Sequence, residues 1–201
     1  MKTYLLIGKV AAERAILDTK DKILDVAQEL IQQRGLNAMS FKDLSDAVGI
    51  SKPSVHHHFA TKSNMVCALL TRYQNEFQNI VCKILESKTS AKTKLKRYYG
   101  LFLQTIETGD QDKSCLCGML VAELYSLESE EADLVRSFFR SNIGAIQTIL
   151  DQGVEDGSLK PGGSPEVILA ALEGGLLIAR CDGGSERFSK IVAKLLTTQS
   201  T

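Results

Sequence analysis

Cys115 and Cys117 stand two residues apart in SCLCGMLVAELYSL, where a polar stretch gives way to an apolar helix. A thiol at a helix entrance feels the aligned amide dipoles, and Lys113 adds positive charge nearby. Both effects favour thiolate, the form that attacks oxidants and electrophiles. Free cysteine is also a small hydrophobe, so the same pair reads equally well as core filling. A disulfide between the two would strain a helix, which leaves Cys82, Cys181 or a small thiol as a partner, while Cys67 reads as packing. No metal is expected, because C-x-C lacks a second ligand pair and His56, His57 and His58 are consecutive positions that point apart on a helix. No nucleophile elbow, phosphate loop or carboxylate pair is present, and the three histidines lie far from Cys115 along the chain. The expectation is a protein that is not an enzyme and needs no cofactor.

A second set of chemically apt residues lies between Ser40 and Lys62. Ser40 can cap a helix in FKDLSDAV, Gly49 can turn the chain, and Ser51 can cap a second helix with Pro53 in its first turn. Phe41, Leu44, Val48, Ile50, Val55 and Phe59 fit one core shared by two steeply crossed helices, which leaves Lys52, Ser54, His56, His57 and His58 mostly outward. A helix presented in this way can read double-stranded DNA from a groove. Lys52 and Lys62 are placed to neutralise phosphates, and Ser40 or Thr61 to add donors at helix amino-termini.

The elements that must position these groups are helical nearly throughout. The chain has 201 residues, three prolines and few alternating β-branched runs. Its formal charge is balanced; residues 1–64 carry nine Lys and Arg against seven Asp and Glu, and the remainder fifteen against seventeen, an asymmetry too small to identify a partner. The spacing predicts an extension over 1–18, a bracing helix from Thr19 to Gly35, and helices from Lys62 toward Ser87 and from Thr89 to Thr108. A polar break follows at 109–113, then further helices over 131–155, from Pro165, and over 185–196. Lys92, Lys94, Lys96 and Arg97 read as a solvated basic face. The fold class is all-α, with an N-terminal helix-turn-helix domain over 19–64 and a helical body over 65–201. Five cysteines without a framework fit a reducing compartment. Neither a signal peptide nor an apolar run of membrane-spanning length is present, so a cytoplasmic protein is expected.

The run KDKILDVAQELIQQRGLNAMSFKDLSDAVGISKPSVHHHFATKSNMVCALL resembles the N-terminal domain of the TetR family of bacterial repressors. The resemblance implies a homodimer on near-palindromic operator DNA, with Ser40, Lys52, Ser54, His56, His57 and Lys62 as the DNA-contacting set. The family commonly has tyrosine where His56 stands, so imidazole replaces a phosphate-contacting hydroxyl. It also implies a body that binds a small inducer and dimerises through a two-fold four-helix interface. Gly174, Gly175, Leu177 and Ile178 would then belong to that interface. The stretch around Cys115 resembles the N-ethylmaleimide- and hypochlorite-responsive subgroup, in which a cysteine precedes a glutamate by eight residues, as Cys115 precedes Glu123. The inducer is either an electrophile or oxidant acting on Cys115 or Cys117, or an apolar molecule among Phe77, Tyr98, Phe102, Leu120, Tyr125 and Phe138. The other class of reading is a helical thiol-based sensor or adaptor that does not act on DNA.

Overall fold

A computed structural model describes residues 2–107, 113–182 and 185–201, with side chains from Asp18 onward except at position 182. The expected polar break at 109–113 falls outside the described residues except for Lys113. Helices α1 (Lys2–Arg34), α2 (Phe41–Val48) and α3 (Lys52–His58) form the N-terminal unit. The body follows as α4 (Lys62–Glu86), α5 (Ala91–Glu107), α6 (Leu116–Ala122), a short 3-10 turn at Leu124–Ser126, α7 (Ser129–Glu155), α8 (Pro165–Asp182) and α9 (Ser185–Gln199). No strand occurs among the described residues, only one isolated bridge between Leu159 and Ser200. The all-α expectation holds.

Two local expectations are corrected. The bracing helix does not begin at Thr19, because α1 runs unbroken from Lys2 through the expected extension; strong helix formers such as Ala11, Ala12, Glu13 and Arg14 let it continue. Lys94 is not part of a solvated face. It is buried, and its ammonium donates to the Leu85 carbonyl at 2.7 Å and to Gln152 Oε1 at 2.8 Å, tying the end of α4 to α7.

The helices are placed by a continuous apolar core. Ile23, Ala27 and Ile31 of α1 pack in one core with Leu44, Val55 and Phe59 of the two short helices and their ends, and Met39 fills the connection. The core passes through Met65, Leu69 and Leu70 of α4 into the body, where Tyr98, Phe102, Leu120, Phe138, Leu172, Leu176 and Phe188 close it. The amide of Gln74 in α4 donates to the Leu134 carbonyl of α7 at 2.5 Å. Apolar burial at this scale stabilises by about 25 cal/mol per Å², so α1 is held to the reader by its inward stripe rather than by intrinsic propensity.

Candidate DNA-binding and sensing site

The two short helices are fixed by local hydrogen bonds that the sequence specifies. Ser40 and Asp43 form a reciprocal capping box: the Asp43 amide donates to Ser40 Oγ at 3.3 Å and the Ser40 amide to Asp43 Oδ2 at 2.8 Å. Ser40 Oγ also donates to Asp43 at 2.6 Å, and this bonding holds the Asp43 carboxyl down to about 2. Gly49 closes α2 at φ 75°, a conformation that favours glycine. Ser51 caps α3 and shares a 2.8 Å hydroxyl contact with Ser54. Lys52, His56 and His57 are exposed along α3, and the His56 ring meets Phe41 edge-on at 4.8 Å. His58 is half-buried, and burial, with His57 and Lys20 nearby, lowers its pKa.

Lys62 sits differently. Its ammonium donates to the carbonyls of Leu36 and Met39, each at 2.6 Å, and partial burial lowers its pKa despite Glu123, Glu131 and Asp43 in the vicinity. It therefore pins the α1–α2 connection to the start of α4 and is not extended toward solvent, as the phosphate role expected for it would require.

In the body, a cavity of about 300 Å³ opens between α1, α4, α5 and α7. Tyr73, Phe77, Phe102 and Phe138 form its apolar wall, Gln28, Gln32, Gln104 and Thr105 its polar side, and Cys115 closes it next to Lys113. The rings of Phe77 and Phe138 lie 5.3 Å apart and those of Tyr73 and Phe138 5.7 Å, spacings typical of edge and tilted aromatic packing. Tyr98 lies behind the wall at 6.3 Å from Phe77, and its hydroxyl donates to Asn142.

The thiols are held neutral. Cys115 and Cys117 are buried, and burial drives both pKa values well up, with the Glu173 carboxyl adding to the shift. The helix that Cys115 enters has only seven residues, and Lys113 is paired with Glu29 at 2.5 Å. The expected lowering of the thiol pKa is thus reversed, because desolvation outweighs a short helix's dipole and a cation already engaged. Glu173 itself is pushed up to about 7 by burial, and its Oε1 has no hydrogen-bond partner.

Helix α6 connects this cavity to the reader. Cys115 stands at its amino end; at its other end the Glu123 carboxylate accepts the amides of Leu36 at 2.8 Å and Asn37 at 3.1 Å, in the turn between α1 and α2. Gly35, at φ 86°, makes room: a Cβ there would lie 2.5 Å from Glu123 Oε1. Two more ties reach the end of α1. Gln32 and Ser114 exchange hydrogen bonds at 2.9 and 3.1 Å, and Arg180 of α8 donates to the Gln33 carbonyl and to Met119 Sδ.

Residues 23–69 match the model of the bacterial regulatory proteins of the tetR family. The HTH-type transcriptional repressor KstR2 of Mycolicibacterium smegmatis is 28% identical over 142 residues, 71% of this chain and 68% of that one. A TetR-family regulator from Agrobacterium tumefaciens superposes with a TM-score of 0.87 at 29% identity, covering 92% of this chain and all of the other. Residues 23–69 are thus similar to the DNA-binding segment of that family, and most of the chain is similar to its transcriptional regulators, as expected for a DNA-binding regulator. The repressor NemR of Escherichia coli is similar too, 24% identical over 149 residues, 74% of this chain and 75% of its own.

Within this regulator, the residues expected to sense an inducer divide. Cys115, Phe77, Phe102 and Phe138 line the cavity; Tyr98, Leu120 and Cys117 are buried in the core and do not line it. Tyr125 does not join them: it is fully exposed on the 3-10 turn, beyond the end of α6. On α8 the expected interface residues also separate. A Cβ on Gly175 would come within 3.0 Å of the Phe188 ring, so that position serves the contact with α9 inside one chain. Gly174 is open, and Leu177 and Ile178 are about half exposed. Sequence reasoning passed over Tyr73, Glu123 and Glu173 as site residues. Glu173 had a signal, as the one carboxylate inside VILAALEGGLLIA.

Proposed function

We propose that this regulator is a repressor that binds operator DNA as a homodimer, through one α3 from each protomer, and lets go when its body cavity is occupied or Cys115 is modified. Lys52, Ser54, His56 and His57 meet the DNA; Ser40 acts mainly by capping α2, since its hydroxyl and amide are both engaged with Asp43. The observation that carries the reading is α6, with Cys115 at one end and the Glu123 clasp on the α1–α2 turn at the other. An occupant that moves α6 changes the tilt of the reader, and binding at the two sites becomes coupled through a shared rigid element. Leu177, Ile178 and Gly174 give α8 an unpaired apolar face suited to the same face of a second protomer. KstR2 and NemR, both named as repressors, support the sign of regulation. Chromosomal DNA places the protein in the cytoplasm, where its five free cysteines are at home. No helix of the described residues is long and apolar enough to cross a membrane.

Fluorescence anisotropy against DNA from upstream of its own coding region tests the reading. Two protomers per site, with affinity falling steeply as salt rises and well above that for random DNA, is the expected result. Equal affinity for both DNAs, or binding by single protomers, would overturn it.

A further inference from the structure

Cys115 stands between two features that no DNA-binding role uses. On one side is the aromatic cavity; on the other is the Glu173 carboxyl, which faces the thiol and keeps one buried oxygen unpartnered. Gly118 allows this approach, because a Cβ there would lie 2.6 Å from Glu173 Oε2 and 3.4 Å from Cys115 Cβ. The titratable groups around the carboxyl are Tyr73 of α4, Tyr98 of α5, and Cys115 and Cys117, all neutral near pH 7. Among the described residues, the carboxyl is therefore the base in contact with a thiol that burial keeps protonated. The Tyr73 hydroxyl lies 3.9 Å from Cys115 Sγ on the cavity side, and either group can donate to the other.

We propose that Glu173 is the proton acceptor through which Cys115 is alkylated by small, flat α,β-unsaturated carbonyl compounds held among Tyr73, Phe77, Phe102 and Phe138. The inference rests on the cavity being the sensing site. The sulfur forms a bond to the β-carbon while the thiol proton passes to the Glu173 carboxylate. The π pair moves toward the carbonyl oxygen, which Tyr73 is positioned to hydrogen-bond, and the proton is then returned to the α-carbon. The product is a thioether adduct; nothing is oxidised or reduced, and no further reactant is needed. Flat shape follows from the ring-lined wall, and an acceptor oxygen from the Tyr73 hydroxyl. Reagents that need a preformed thiolate in solution are disfavoured, because desolvation suppresses that species here.

The test uses cinnamaldehyde as the probe on the full chain, with adduct formation at each cysteine followed by peptide mass spectrometry from pH 5.5 to 9.5. Exposed Cys82 and Cys181 are controls within the same molecule. The Cys115 rate is expected to rise with pH and level off with a midpoint near 7, the Glu173 titration. Glu173→Gln should slow Cys115 by about a hundredfold at pH 7.5, the usual contribution of a positioned base, with Cys82 and Cys181 unchanged. Gly118→Ala, which displaces the carboxyl without removing it, should slow Cys115 as well. A Glu173→Gln rate at Cys115 equal to wild type, or a wild-type profile that climbs past pH 9 without levelling, would overturn the proposal. The profile decides the matter even if a variant fails to fold. Release of upstream DNA is measured on the same samples: a Glu173-dependent adduct that leaves DNA binding intact would overturn the sensing role and leave the proton transfer standing.

Discussion

Lys52 and Lys62 each begin a helix, yet their surroundings make them different groups. Lys52 is exposed, so Lys52→Ala is expected to leave stability within about 0.5 kcal/mol. It should weaken DNA binding evenly across sequences and lower the salt slope by about one. Lys62→Met keeps the stem and strands the carbonyls of Leu36 and Met39, so it should cost about 2 kcal/mol in denaturant unfolding. Equal unfolding midpoints for the two variants would contradict the distinction. Glu173 gives a pH signature. Below pH 4.5 its carboxyl is protonated in folded and unfolded chains alike. Between 4.5 and about 7 only the unfolded chain releases the proton, so stability falls as pH rises and then levels off. The loss is on the order of 3 kcal/mol, and Glu173→Gln should flatten it in unfolding curves taken across that range. The position of Cys115 at a helix entrance was legible in the sequence; its protonation state was not, because that is set by α8 and by the Glu29 partner of Lys113, both remote along the chain.

At the scale of elements, α6 is short and gains its importance from what its ends touch. Glu123 accepts two amides that would otherwise lack a partner in the α1–α2 turn, and removing it breaks the link without disturbing the α3 surface. Glu123→Ala should therefore retain DNA binding within a few-fold while the effect of an occupant on DNA affinity shrinks by about 1–3 kcal/mol, the usual size of such coupling. Affinities measured with and without cinnamaldehyde would check this, and an undiminished response would exclude Glu123 as the link. The helices themselves were readable from periodicity and caps: Ser40, Gly49, Ser51 and Thr61 all mark boundaries where the structure has them. The start of α1 was not, since Thr19 is a plausible cap whose signal is overridden by helix formers upstream. Tyr125 was misplaced because the helical period was carried past Ala122, where α6 ends and a 3-10 turn swings the ring outward. Gly174 and Gly175 look alike in sequence, and only the position of Phe188 separates the one that packs inside the chain from the one left open.

For the whole molecule, a reader of α1–α3 is mounted on a body that encloses a cavity, and the two share one core through α4. Fold class and the reader were legible because helix-turn-helix structure is specified by local caps, one turn glycine and a short apolar pattern. The contents of the cavity were only half legible, because a cavity is defined by which helices meet, and Glu173 arrives there from a segment 58 residues beyond Cys115 in the numbering. In the proposed repressor, two readers act together at a fixed separation set by the body. Hydroxyl-radical footprinting on the upstream DNA measures this directly. Two protected patches on one face of the duplex, centred about one helical turn or a whole number of turns apart and lost together when cinnamaldehyde is added, is the predicted result. A single patch, or two that dissociate independently, would contradict it.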